Sequence, residues 1–262
     1  MKWAFCFKAN RVAHKTWTSL LVGVLVVFLT VIPARADPLR DESNDLCTQL
    51  QMIDLAYLNN NLETLEDLKQ KAGGTDYWGR YVQAFASYRM TLVSLGDPDI
   101  KKKVSKNHNN VAIDLLLGLL DEREEAEVLA LLSNAYGLKI AMKPISGITT
   151  GPKAARTGER ALELAPENPR MLLTRGQTRF NAPGFAGGDK EEALRLFRAA
   201  VTGFENDEDP CWGETDAKLA LAQALAEENP ARALEILEGL LEEWPAFREA
   251  DVLRMRLTGV DG

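Results

Sequence analysis

Histidine is nearly missing from this sequence, with only His14 and His108 among 262 residues. His14 falls in a leader-like stretch, so the remainder keeps His108 alone amid Lys106, Asn107, Asn109 and Asn110. A two-histidine metal site or a Cys-His pair with a supporting histidine needs more than that, and a histidine-based triad would have to rest on His108 alone. There is also no glycine-rich loop followed by Lys-Ser or Lys-Thr to cradle a phosphate, which removes support for nucleotide chemistry. Aromatics make up only 7% and no segment reads as a convincing strand, so a sheet core is disfavoured. The longest apolar run, Leu20 to Ile32, is 13 residues. That is short of the roughly 20 a membrane-crossing helix needs.

What is present begins with that run. Lys2, Lys8, Arg11 and Lys15 precede it and Ala34-Arg35-Ala36 follows it, the charged, apolar, small-residue order of a secretory signal peptide cleaved after Ala36. Residues 1–36 are therefore read as a leader and the mature chain as exported, periplasmic and not membrane-spanning. The leader carries five Lys/Arg and no Asp/Glu, so the mature chain has 31 − 5 = 26 basic against 38 acidic residues, net −12. Such a charge repels nucleic acid and anionic lipid. Lys101, Lys102, Lys103 and Lys106 form the one dense basic patch and read as a solvated helix face. Cys47 and Cys211 remain in the mature chain. Export permits a disulfide, but 164 positions separate them in a chain whose contacts are expected to be local, so pairing is disfavoured.

From Asp37 onward, helical periodicity follows helical periodicity, with Gly and Pro at the breaks. Residues 41–59 and 62–72 make a first pair; Tyr77 to Leu95 opens a second. Its partner is expected to start at the cap Asp97-Pro98 and to bury Val104, Val111, Leu115, Leu116 and Leu119. A third pair runs from Glu122 to about Ala141, is broken over 143–151 and resumes around Ala154, Gly158 and Ala161. The fourth holds Pro169 at a first helical turn, then an elbow at Gly187-Gly188-Asp189, then Ala193, Phe197 and Ala200 on one helix face. Gly176 lets the facing helix come close to that face. Residues 213–228 and 230–243 make a fifth pair, and a short helix from Ala246 to about Leu257 closes the chain.

Leu129-Leu132-Ser133-Tyr136 in a first helix, and Ala193-Phe197-Ala200, Ala154-Gly158-Ala161-Pro166 and Ala233-Leu237-Leu240-Pro245 in second helices, resemble the tetratricopeptide repeat. The spacing departs from it: Ala112 to Ala154 is 42 positions, Ala154 to Ala193 is 39 and Ala193 to Ala233 is 40. The standard repeat has about 34. The resemblance implies an all-α solenoid of about five helical hairpins with a C-terminal capping helix. Residues 37–120 would be its divergent first part and 121–262 the part with repeat character. It also implies that first helices line a concave binding face, which would hold Asn134, Leu138, Arg170, Leu173 and Gln177, or Arg175 and Arg179 if the helix is rotated. The Phe185-to-Ala193 elbow is further similar to exported bacterial proteins of this type, among them the T component of tripartite ATP-independent periplasmic (TRAP) transporters.

Acidic clusters such as Glu122-Glu124-Glu125 and Glu227-Glu228 fall at helix ends, where a dipole partner or a solvated face is the ordinary role. Gly188 is expected to turn the chain and Asp189 to cap the next helix rather than to hold an anion. The sequence thus predicts no enzyme, no cofactor and no metal site. It predicts an exported scaffold for a protein partner, held partly by charge; homo-oligomerisation stays open. The alternative is a transporter accessory component that binds a solute receptor or a small ligand.

Overall fold

The structure, a computed structural model, describes residues 38–42, 44–72, 74 and 76–259. The signal-peptide expectation for 1–36 lies outside the described residues. Among the described residues all regular structure is helical: α1 (Pro38–Glu42), α2 (Asn44–Leu58), α3 (Leu62–Lys71), α4 (Tyr77–Gly96), α5 (Lys102–Glu122), α6 (Ala126–Met142), α7 (Gly147–Leu164), α8 (Pro169–Asn181), α9 (Lys190–Glu205), α10 (Glu214–Leu225), α11 (Pro230–Glu243) and α12 (Arg248–Thr258), with single 3-10 turns before α7 and α9. From α2 to α11 these are five hairpins, and α12 covers the last.

Local chemistry sets the boundaries. Asn61, Asp76, Asp189 and Asn229 each cap a helix by accepting from a backbone N–H three residues on, at 2.9, 2.9, 2.9 and 3.1 Å. Asn168 caps α8 at 2.9 Å, and Pro169 and Pro230 stand at first helical turns. In the elbow Gly187 has φ +89°, and a Cβ on Gly188 would lie 1.8 Å from the Ala182 carbonyl oxygen. Only glycine fits either place.

Hairpin packing follows the small-against-large pattern. Phe197 is 1% exposed, and a Cβ on Gly176 would lie 2.5 Å from its ring. Gly158 likewise meets Ser133, whose hydroxyl donates to the Ala154 carbonyl at 2.8 Å. Two boundaries differ from expectation. Asp97 and Pro98 form a turn, with Asp97 accepting from the Asp99 N–H, and α5 starts later, at Lys102. Its buried face is Ser105, Asn109, Ala112, Ile113, Leu116 and Leu119, which leaves Val104 and Val111 exposed. The Asn109 Nδ2 donates to the Ala135 carbonyl at 3.0 Å, which offsets part of the cost of burying its amide. The break at 143–151 is also shorter than expected, since α7 begins at Gly147 and carries Gly151 and Pro152 within it.

The stack closes on itself. Cys47 of α2 and Cys211 of the α9–α10 connection form a disulfide across 164 positions, against the expectation from locality. Beside it Gln51 donates to Asp209 at 2.7 Å, Arg40 pairs with Asp209, and the Trp212 ring lies 4.9 Å from that of Phe85 in α4. At the centre Arg89 is fully buried. Its guanidinium makes a two-pronged pair with Asp216 of α10 at 2.9 and 2.5 Å, pairs also with Asp54 of α2, and lies 4.2 Å from the Tyr57 ring centroid. The curvature of successive hairpins thus brings the first into contact with the last, which sequence separation alone cannot show.

Candidate binding cleft

Closure decides which surfaces remain accessible. Twelve of the twenty residues of α4 are buried, and α6 is buried around most of its circumference from Glu127 to Tyr136. A groove along the first helices is therefore largely filled by the protein itself. Arg170 is 1% exposed: its guanidinium holds Glu127 of α6 through contacts of 2.9 to 3.1 Å and donates to the Trp212 carbonyl at 3.4 Å. Leu173 is also 1% exposed, packed with Phe197 and Phe204. Neither can face a partner, which corrects the expectation for both. Asn134, Leu138 and Gln177 are half-buried, Leu138 against the main core. Arg175 pairs with Glu159 at 3.4 Å, and Arg179 spans the elbow, donating to the Gly187 carbonyl at 2.7 Å and pairing with Glu192 at 2.9 Å.

A concavity lies elsewhere, where α8, α9, α10 and α12 converge near the end of α4. It is a cleft of about 740 Å³. Its apolar surface comes from Phe180, Leu194, Ala224, Val252, Leu253 and Leu257. These share one place because α12 lays the i, i+1 and i+5 positions Val252, Leu253 and Leu257 along the open side of the α8–α10 layer.

Charge lies around that apolar floor. Arg248 and Arg256, two turns apart on α12, contribute guanidinium groups, and among the described residues neither has a carboxylate partner. Lys190 stands 5.8 Å from the Phe180 ring centroid and 3.6 Å from Glu227, so its charge is already shared. Glu227, Glu228 and Glu249 bring the opposite sign to the lining. Burial raises the pKa of Glu249 above the ordinary carboxylate value, and it accepts a hydrogen bond from Tyr57. Through Tyr57, the cleft wall joins the network in which burial lifts Asp54 to about 6, against the pull of Arg89.

Among the residues that line the cleft there is no His, Cys, Met or Tyr to coordinate a metal. His108, on α5, is half-buried away from it; burial, then the charge of Lys69, lowers its pKa. What the cleft can do is bind: it offers area to an apolar body and two arginines to carboxylates. Neither the cleft nor Arg89 is evident in the sequence. The one local signal for Arg89 is a cation on the same helix face as Tyr81, Phe85 and Tyr88.

No family model matches the chain, and no curated protein matches it. The fold is similar to that of the HusA haemophore from Porphyromonas gingivalis, with a TM-score of 0.55 and 21% sequence identity. The likeness covers 71% of this chain and 94% of that one. It is a likeness of fold.

Proposed function

We propose that this protein is a non-enzymatic, exported binding protein that takes an amphipathic, carboxylate-bearing small molecule into the cleft between α8, α9, α10 and α12. The observation that carries this reading is the pairing of an apolar floor with the two unpaired arginines Arg248 and Arg256. Burying apolar area supplies affinity at roughly 25 cal/mol per Å², and the arginines fix orientation by two-pronged hydrogen bonds to carboxylates. The structural relative is a haemophore, and haem belongs to this chemical class, a flat apolar ring with carboxylate arms. With no His, Cys, Met or Tyr in the lining, binding here would rest on the ring face and the carboxylates. The disulfide accords with export to an oxidising compartment.

This reading replaces a peptide laid along the first helices, because Arg170 and Leu173 are buried. It retains the small ligand of the transporter-accessory alternative without assigning a solute receptor. Titration with metal-free protoporphyrin, followed by its fluorescence, tests it. Saturable one-to-one binding is expected; absence of saturation would remove the reading.

A further inference from the structure

The helices of the second to fourth hairpins alternate in direction, and cross-links mark one common level. Asn109 reaches Ala135, Ser133 reaches Ala154, and Gly158 faces Thr174 and Thr178. From that level α5 begins seven residues away (Asn109 to Lys102), α6 ends seven away (Ala135 to Met142) and α7 begins seven away (Ala154 to Gly147). At 1.5 Å per residue each span is about 10 Å. Helix α8 ends on the same side, at Asn181. The connections 97–101, 143–146 and 182–189 therefore lie along one edge of the stack.

That edge combines two features a solvated surface does not need. Ile145, Ile148 and Phe185 are 66%, 75% and 96% exposed. Residues 139–156 carry Lys139, Lys143, Lys153 and Arg156 with no Asp or Glu, and Lys101, Lys102, Lys103 and Lys106 open α5 nearby. Among the described residues none of these eight cations is in a salt bridge. The opposite edge has the reverse sign: residues 121–127 hold five acids to one arginine, and 205–216 hold six acids and no base. That edge thus sets unpaired cations beside Ile145, Ile148 and Phe185, which are more exposed than any other large apolar side chain among the described residues.

We propose that this edge docks on an anionic lipid surface. Ile145, Ile148 and Phe185 enter the headgroup region while Lys101, Lys102, Lys103 and Lys143 meet the lipid anions, and the acidic edge, repelled, points away. A bilayer is favoured over a folded partner because these connections offer exposed apolar side chains and long cationic stems, which suit a deformable interface. The inference stands apart from the cleft and its ligand.

Co-sedimentation of the protein recovered from the exported fraction tests it, using vesicles of phosphatidylcholine alone and of phosphatidylcholine mixed with phosphatidylglycerol. The wild type is expected to bind only the mixed vesicles and to be released by salt. Two variants, Ile145→Ser/Ile148→Ser/Phe185→Ser and Lys101→Glu/Lys102→Glu/Lys143→Glu, are expected to bind about tenfold more weakly or worse. All six side chains are exposed, so an unchanged circular dichroism spectrum is expected for both. Wild type and variants share one N-terminus, so their difference reports the edge. Absence of binding, equal binding to neutral vesicles, or variants that bind like wild type would overturn the proposal. So would head-to-tail association between the basic edge of one copy and the acidic edge of another in place of lipid binding.

Discussion

Arg89 sits on α4 with every charged neighbour drawn from a distant part of the chain: Asp54, Asp216 and, through Tyr57, Glu249. Removing it leaves carboxylates buried without a counter-ion, a far larger cost than the net value of the pairs themselves. Arg89→Ala is expected to lower stability by about 3–5 kcal/mol in denaturant unfolding. A change below about 1 kcal/mol would mean water reaches the site. Asp54 gives the pH dependence its sign. Burial lifts its folded pKa from 3.8 to about 6, so the folded state holds the proton more tightly than the unfolded chain does. Stability from this group is full below about 4 and is lost as pH rises through about 6; Glu249, also raised, acts in the same direction. Wild type minus Asp54→Asn should therefore show stability falling between pH 4 and 6, and a flat difference there would contradict the burial. Arg170 teaches a related point at this scale. A resemblance can place an arginine on a binding face, but only the fold shows that Glu127 has already taken its charge.

At the scale of helices, much was legible. The Asp189 cap, the Pro169 first turn and the Ala193-Phe197-Ala200 face are local features that survive into the fold, whereas Asp97-Pro98 forms a turn in place of the expected cap. Phe197→Ala should leave a cavity against Gly176 and cost about 3–5 kcal/mol in denaturant unfolding, with the loss concentrated in the third to fifth hairpins. A loss below about 1 kcal/mol would remove Phe197 from the core. Helix α5 was legible as a helix but not in its rotation. Periodicity counts Val104 and Val111 as apolar, yet a buried Asn109 paired to a carbonyl can outrank them, and the partner carbonyl of Ala135 is 26 positions away.

For the whole molecule the decisive fact is closure, and this was not legible. A one-dimensional stack predicts contacts between neighbours, whereas curvature accumulates over all hairpins and brings α2 and α4 against α10 and α12. The disulfide fixes that ring. Cys47→Ser is expected to cost about 2–5 kcal/mol of unfolding free energy, with no further loss on adding a reductant. If reductant left the wild type unchanged while the variant was destabilised, the effect would belong to packing around Cys47 and not to the bridge. The cleft forms where α12, packed on α11 and α10, meets α8 and α9 beside the end of α4. The central claim is that this cleft binds an amphipathic carboxylate through an apolar floor and two arginines. Equilibrium titration of protoporphyrin into wild type, Arg248→Ala/Arg256→Ala and Val252→Trp tests it most directly. Saturable binding by the wild type is expected, weakened about tenfold or more, or about 1.4 kcal/mol, by the paired arginine change and blocked by the bulky residue at position 252. Equal affinity in all three proteins would contradict it.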